Sequence, residues 1–177
     1  MDTRGIDSLL FANKNEKIRE EKDPYVDYCL EQYRIYLHIF NGTNDRRQKY
    51  NEFFLGLNAA IIGILGYVET KSIPHSNIIF LLVPFVGISI GYSWYKIIKS
   101  YQQLNRAKFK VLHTIEQKLP IALFETEWHL LGKGDNPKLY KPLSQTEKII
   151  PLTFMVLYVA ILVVSIPWNE ILKLFDI

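Results

Sequence analysis

The run IIFLLVPFVGISIGYSWY, residues 78–95, contains no Asp, Glu, Lys, Arg or His and is long enough to cross a lipid bilayer as a helix. It continues directly into KIIKSYQQLNRAKFKVLHTIEQKL, residues 96–119, where charged residues alternate with apolar residues at helical spacing as far as Pro120. We expect a single helix about 60 Å long at 1.5 Å per residue, roughly twice the thickness of the hydrocarbon core. Its first half would lie in the membrane and its second half would form a cytoplasmic stalk.

Two further runs, residues 53–68 and 149–168, also lack Asp, Glu, Lys, Arg and His. A helix of a soluble bundle carries a polar stripe, and none of the three runs has one. The sequence therefore predicts an all-α integral membrane protein with three transmembrane helices at about 51–70, 77–96 and 148–168.

The distribution of basic residues predicts the topology. Of 21 Lys and Arg residues, only Lys71 and Lys173 lie outside residues 1–52 and 96–148. The positive-inside rule places the N-terminus in the cytoplasm and the C-terminus on the far side of the membrane. The cytoplasmic portion would comprise residues 23–50 and 96–147 of a single membrane domain spanning 23–177.

The segment before the first span divides into a tail and a helix. Residues 1–22 are polar, and we expect a mobile tail with at most a short helix near Ile6–Phe11. Asp23-Pro24 is typical of a helix start, and the segment 24–41 has one broad apolar, tyrosine-rich face. That face would pack on the stalk, the membrane surface or another subunit. Asn41-Gly42-Thr43-Asn44 predicts a break before the first span.

Small residues at intervals of three and four mark one face of the first span, and a second glycine pair lies in the second span. Such faces let helix backbones approach closely in lipid. We predict that they pack helices or subunits together: Gly56, Ala59, Ala60, Gly63, Gly66, Gly87 and Gly91.

The polar residues within the spans admit two interpretations. Asn58, Ser89 and Ser93 could line a hydrated pore, or they could form hydrogen bonds between helices. Residues at the span ends are expected at the lipid interface, where the basic ones either contact anionic headgroups or only determine topology: Arg46, Arg47, Lys49, Trp94, Lys96 and Trp168.

We find no pattern typical of a catalytic, cofactor or metal site. The chain has one cysteine, Cys29, and its four histidines are scattered. His113 and Glu116 have the helical spacing of a metal-ligand pair, but two ligands do not make a site, and a solvated stalk face is the simpler interpretation. Proton relays and coupled transporters need ionisable groups within the membrane, and the spans lack them. We therefore expect no enzyme, no cofactor and no nucleic-acid partner.

Two blocks of the sequence resemble the RipA family of small bacterial inner-membrane proteins. They are residues 31–61 and 104–151, and the second contains the unusual elements EWHLLGKG and YKPLSQTE. The resemblance implies a ring-like homo-oligomer, of the kind described as octameric in that family, in the bacterial cytoplasmic membrane, with the C-terminus then periplasmic. It also implies a link to growth inside host cells. The family's helix would run through the region of Gly42, where this sequence predicts a break.

Three functional hypotheses follow. The first is a homo-oligomeric membrane assembly with a structural or regulatory role in envelope or intracellular-growth adaptation. The second is a membrane pore formed by that oligomer. The third is a membrane anchor for a cytoplasmic protein partner that docks on residues 25–40 or 120–147.

Overall fold

The computed structural model describes residues 3–10, 24–71, 76–134, 138 and 140–168. These residues form six α-helices and one short 3₁₀ turn, Gly132–Gly134, and no strand is found among them. The helices are α1 Thr3–Leu10, α2 Pro24–Thr70, α3 Ser76–Glu116, α4 Leu123–Leu130, α5 Leu143–Glu147 and α6 Ile149–Ser165.

Three helical segments are long and apolar enough to cross a membrane: Pro24–Thr70, Ile78–Glu116 and Gln145–Ser165. The first and second extend well beyond a bilayer's thickness, at 47 and 39 residues. The predicted class, an all-α membrane protein with three spans, is thereby confirmed. The continuation of the second span into a long stalk is confirmed as well, since α3 runs unbroken from Ser76 to Glu116.

The predicted break after residue 41 is wrong, because α2 continues through Asn41-Gly42-Thr43-Asn44 into the first span. A glycine inside a helix costs only about 1 kcal/mol, which packing can offset. Here Phe40 and Thr43 on either side of Gly42 are both buried, and the Thr43 hydroxyl donates to the Ile39 carbonyl at 2.9 Å. The uninterrupted helix agrees with what the family resemblance implied for this region.

The stalk also differs from expectation at its end. It stops at Glu116 rather than near Pro120, and the chain tightens into three-residue turns in which Lys118 and Leu119 donate to the carbonyls of Ile115 and Glu116.

The chain forms two compact units. Unit 1 comprises Met1–Arg47 and Ser100–Gln145, and unit 2 comprises Gln48–Lys99 and Thr146–Ile177. The assignment of residues 23–50 and 96–147 to a cytoplasmic portion stays a prediction.

In unit 1, the first part of α2 packs on the stalk part of α3. The core consists of Tyr33, Phe40, Leu112 and Leu119, with Cys29, Tyr36, Leu37, Ile115 and Phe124 packed against it. This is the stalk contact that we expected for the apolar face of residues 24–41. Helix α1 joins the same unit through the Leu10 carbonyl, which accepts a hydrogen bond from the Ala122 N–H at 3.0 Å. The remainder of the predicted tail, residues 1–2 and 11–22, lies outside the described residues.

Candidate functional site

A buried carboxylate holds the stalk end of unit 1 together. Glu116 is 0% exposed, and its Oε1 accepts hydrogen bonds from the Tyr33 hydroxyl and from the Phe124 N–H, both at 2.9 Å. Its Oε2 accepts from the Glu125 N–H, also at 2.9 Å. Burial, together with the hydrogen bond and negative charge of Glu116, raises the pKa of the Tyr33 phenol well above its usual range. The phenol therefore stays a donor to the carboxylate.

Glu116 supplies the N-terminal cap that α4 otherwise lacks. The residue before α4 is Ala122, which makes no side-chain capping bond, and Glu116 satisfies the first N–H groups of the helix in its place. The expectation of a solvated stalk face at Glu116 is thus wrong, because the carboxylate binds these donors in the core. Among the described residues, no group of three or more His, Cys, Asp or Glu side chains could hold a metal ion.

A buried lysine lies between the same two helices. The Lys108 side chain is 8% exposed, and its Nζ donates to the Thr43 hydroxyl and, at 3.4 Å, to the Ile39 carbonyl. The ammonium also lies 5.8 Å from the centre of the Phe40 ring. Burial, and secondarily the charge of Arg46, lower the pKa of Lys108.

The polar contacts set the register of the helix pair. The Asn105 side-chain amide donates to the Asn44 side-chain oxygen Oδ1 at 3.2 Å, so the pairs 44–105, 43–108 and 33–116 follow one another in antiparallel order. Sequence reasoning missed these residues. On the stalk, Lys108, Leu112 and Glu116 are buried, whereas Leu104 and Val111 are exposed.

In unit 2, Asn58 is fully buried and makes an interhelical contact. Its Oδ1 accepts from the Tyr158 hydroxyl of α6 at 3.1 Å, and its Nδ2 donates to the Phe54 carbonyl at 2.7 Å. This geometry is the interhelical alternative to a hydrated path, because the amide already has partners within the chain.

Ser89 and Ser93 do not join Asn58. Both are exposed, and their hydroxyls donate to carbonyls of their own helix, at Phe85 and Ser89, each at 2.9 Å. They lie in a shallow, mostly apolar groove that is lined by Phe54, Phe85, Val86, Ser89, Ile90 and Ser93.

The two glycines of the second span pack against α6. A Cβ atom at Gly87 would lie 2.5 Å from the Tyr158 ring, and one at Gly91 would lie 2.7 Å from Met155 Cγ. Only a residue without a side chain fits at either position. The close approach therefore occurs within one chain.

Among the residues that the structure describes, the small-residue face of the first span has no such neighbour. Gly56, Gly63 and Gly66 have no atom within 4 Å of a built Cβ, beyond the helix's own backbone, and Ala59 and Ala60 are exposed. Helical geometry places these five residues on the side of α2 away from the buried Asn58, Leu65 and Val68. This face is free to approach another helix.

Trp94 was predicted at the lipid interface, and this is wrong. It lies inside unit 2, where it is 1% exposed. Its indole N–H donates to the Asn51 side-chain oxygen at 2.9 Å, and its ring stacks on Phe54 with centroids 5.7 Å apart. The reason is that Asn51 satisfies the polar atom that would otherwise favour the headgroup region.

The other predicted interface residues occupy more accessible positions. Lys49, Lys96 and Trp168 are exposed; the Lys96 ammonium lies 5.6 Å from the Tyr92 ring centre, and the Trp168 indole donates to the Val163 carbonyl at 2.9 Å. Arg46 is exposed and donates to the Thr43 hydroxyl at 3.5 Å, whereas Arg47 is half-buried. Their contact with lipid stays a prediction.

The described residues thus offer polar contacts that fix helices against each other, together with an unoccupied packing face. The model of the octameric membrane protein family (8xMP) matches residues 30–167 of the chain. No curated protein and no solved structure matches the chain. The family match covers most of the chain: it includes most of α2 and the whole of helices α3 to α6. The chain belongs to the octameric membrane protein family.

Proposed function

We propose that this chain is the subunit of a homo-oligomeric assembly in the bacterial cytoplasmic membrane, with its N-terminus in the cytoplasm and its C-terminus in the periplasm. The family's description supports eight copies. The charge distribution supports the topology, and the resemblance to RipA proteins supports the bacterial membrane.

The observation that carries the proposal is the unoccupied small-residue face of the first span. In lipid, apolar side chains gain little by leaving the hydrocarbon, so helices associate through close packing at small residues. Helix α6 already packs closely against Gly87 and Gly91, whereas the face with Gly56 and Gly63 is open. A neighbouring subunit would fill it.

The experiment is to measure the particle mass of the purified protein in detergent and in nanodiscs, by native mass spectrometry. We expect a multiple of the 20.7 kDa chain, and eight copies if the family's description applies. Gly63→Leu should reduce the number of subunits, because its side chain blocks close approach. Val164→Leu, at an 83% exposed position of α6, is the matched control and should leave the mass unchanged. A monomeric wild-type particle would refute the proposal.

We propose further that the assembly has a structural or regulatory role in envelope or intracellular-growth adaptation, on the basis of the RipA resemblance. A bacterial strain that lacks the gene should regain growth in host cells with the wild-type or Val164→Leu protein. Gly63→Leu should fail to restore growth. If both variants restore growth equally well, the role in growth does not depend on the assembly.

A further inference from the structure

Helix α2 has three distinct faces within unit 1. One packs into the core through Tyr33 and Phe40, and a second is polar, with Arg34 83% exposed and 3.8 Å from Glu31. The third is both exposed and apolar. It consists of Tyr28, Ile35 and Ile39, which are 70%, 52% and 49% exposed.

The stalk extends this third face. Because α2 and α3 are antiparallel and Lys108 bonds to Ile39 and Thr43, Val111 lies one turn along α3, near the level of Ile39. Leu104 and Val111 are seven residues apart and lie on the same side of the helix pair as Ile39. Both are 44% exposed. We define the third face by Tyr28, Ile35, Ile39, Leu104 and Val111.

Single exposed apolar residues are ordinary, but a continuous set of them is typical of an interaction surface. One exposed polar residue, Gln32, lies among the apolar residues of this side, whereas the Arg34 side is charged. The third face is therefore a candidate interaction surface.

The family match favours a second copy of this chain as the partner, because the family is described as octameric, and the heptad positions of α2 can be compared with that partner. Tyr25, Gln32 and Ile39 share one heptad position, and Tyr28, Ile35 and Gly42 share the other. The same two positions recur, after Arg46 and Lys49, at Phe53, Gly56, Ala60 and Gly63. The two heptad positions therefore recur in the sequence of both parts of α2.

We propose that the third face of unit 1 binds a second copy of this chain, as the part of the subunit contact that lies outside the membrane. This inference rests on the proposed homo-oligomer and adds the surface, outside the lipid, that joins its subunits. Side-by-side packing of the unit 1 part of α2 along a 3.5-residue repeat would bury the aliphatic residues of the third face.

The test is photo-crosslinking of the full-length protein in membranes, with a benzophenone amino acid at position 35 or 39. The matched controls carry it at positions 34 and 38, on the polar face. Because the benzophenone reacts with any nearby C–H group, the result does not depend on which residue of the partner lies opposite. Co-expression of two differently tagged chains identifies intermolecular adducts.

We expect an adduct of about 41 kDa, twice the 20.7 kDa chain, from positions 35 and 39, at least five times stronger than from 34 and 38. Adducts of equal strength at all four positions would overturn the inference, and so would the absence of adducts from a particle of oligomeric mass. Neither result would contradict the proposed homo-oligomer. Adducts with lipid or with a different protein would overturn the inference as well. A monomeric particle would remove both proposals.

A second measurement uses Ile35→Glu and Ile39→Glu, with His38→Glu as control. All three positions are exposed, so the fold of the subunit should survive, as far-UV circular dichroism can verify. We expect the first two variants to dissociate at a clearly lower SDS concentration than the control. Identical dissociation of all three would contradict the inference.

Discussion

The Tyr33 hydroxyl donates to the Glu116 carboxylate at 2.9 Å and joins residues that are 83 positions apart in the chain. Since Glu116 also accepts from two backbone N–H groups of α4, one side chain connects three helices of unit 1.

We predict that Glu116→Ala destabilises unit 1 by about 3 kcal/mol, because it leaves the Tyr33 hydroxyl and two N–H groups without their acceptor. Tyr33→Phe should cost about 1–2 kcal/mol, since only one hydrogen bond to a charged group is lost. Limited proteolysis and denaturant unfolding in detergent measure both. Glu127→Ala is the control, because Glu127 is exposed. A loss for Glu127→Ala equal to that for Glu116→Ala would show that the contacts of Glu116 contribute little.

A second prediction concerns the pair Lys108 and Thr43. Lys108→Met keeps the length of the side chain and removes a buried charge, so we expect unfolding free energy within about 1 kcal/mol of wild type. Thr43→Val leaves the charge and removes its acceptor, which should cost about 1–3 kcal/mol. A denaturant titration of both variants under the same conditions shows which of them has the lower free energy of unfolding. If Lys108→Met is the more damaging, the ammonium contributes net stability.

A third prediction compares two glycines in membrane-spanning helices. Gly87→Ala should destabilise unit 2 by about 1–3 kcal/mol, because the new methyl group would overlap the Tyr158 ring. Gly63→Ala has open space and gains helix propensity, so the isolated subunit should be unchanged or slightly more stable. SDS titration followed by circular dichroism can compare the two. Equal effects would mean that the contact with Tyr158 is looser than described.

A fourth prediction concerns the turn after α4. Gly134 has a φ of +78°, and a Cβ there would lie 2.8 Å from Trp128 Cη2, so Gly134→Ala should cost about 1–3 kcal/mol. Lys133→Ala in the same turn keeps an L-residue at φ 55° and removes an exposed side chain. It should change stability by less than about 0.5 kcal/mol. Thermal unfolding in detergent distinguishes them, and matching values would exclude the close contact as the cause.

The sequence was most informative where apolar residues form long runs. The three spans and the stalk followed from hydropathy, because the bilayer imposes both length and composition on a helix. The break at Gly42 was wrong because local propensity amounts to about 1 kcal/mol, less than the packing of Phe40 and Thr43 can offset.

The candidate site was the part least open to prediction. Charged residues such as Lys108 and Glu116 are usually solvated, and their burial depends on partners far away in the sequence, Thr43 and Tyr33. Trp94 was misplaced for the same reason, since nothing near it in sequence reveals its contact with Asn51. The signal present in the sequence was weak: a carboxylate, Glu116, shortly before a turn and a helix that lacks a capping residue of its own.

The hydrogen bond from Ala122 to Leu10 has a consequence for biosynthesis. These residues are 112 positions apart, so at about 5–20 residues per second the ribosome needs roughly 6–22 s to supply the partner of the first helix. During that interval the ribosome also synthesises the segments Gln48–Thr70 and Ser76–Lys99. Unit 1 can therefore close only after two membrane segments have emerged, and we expect chaperones that hold nascent chains to have their longest access to residues 3–10.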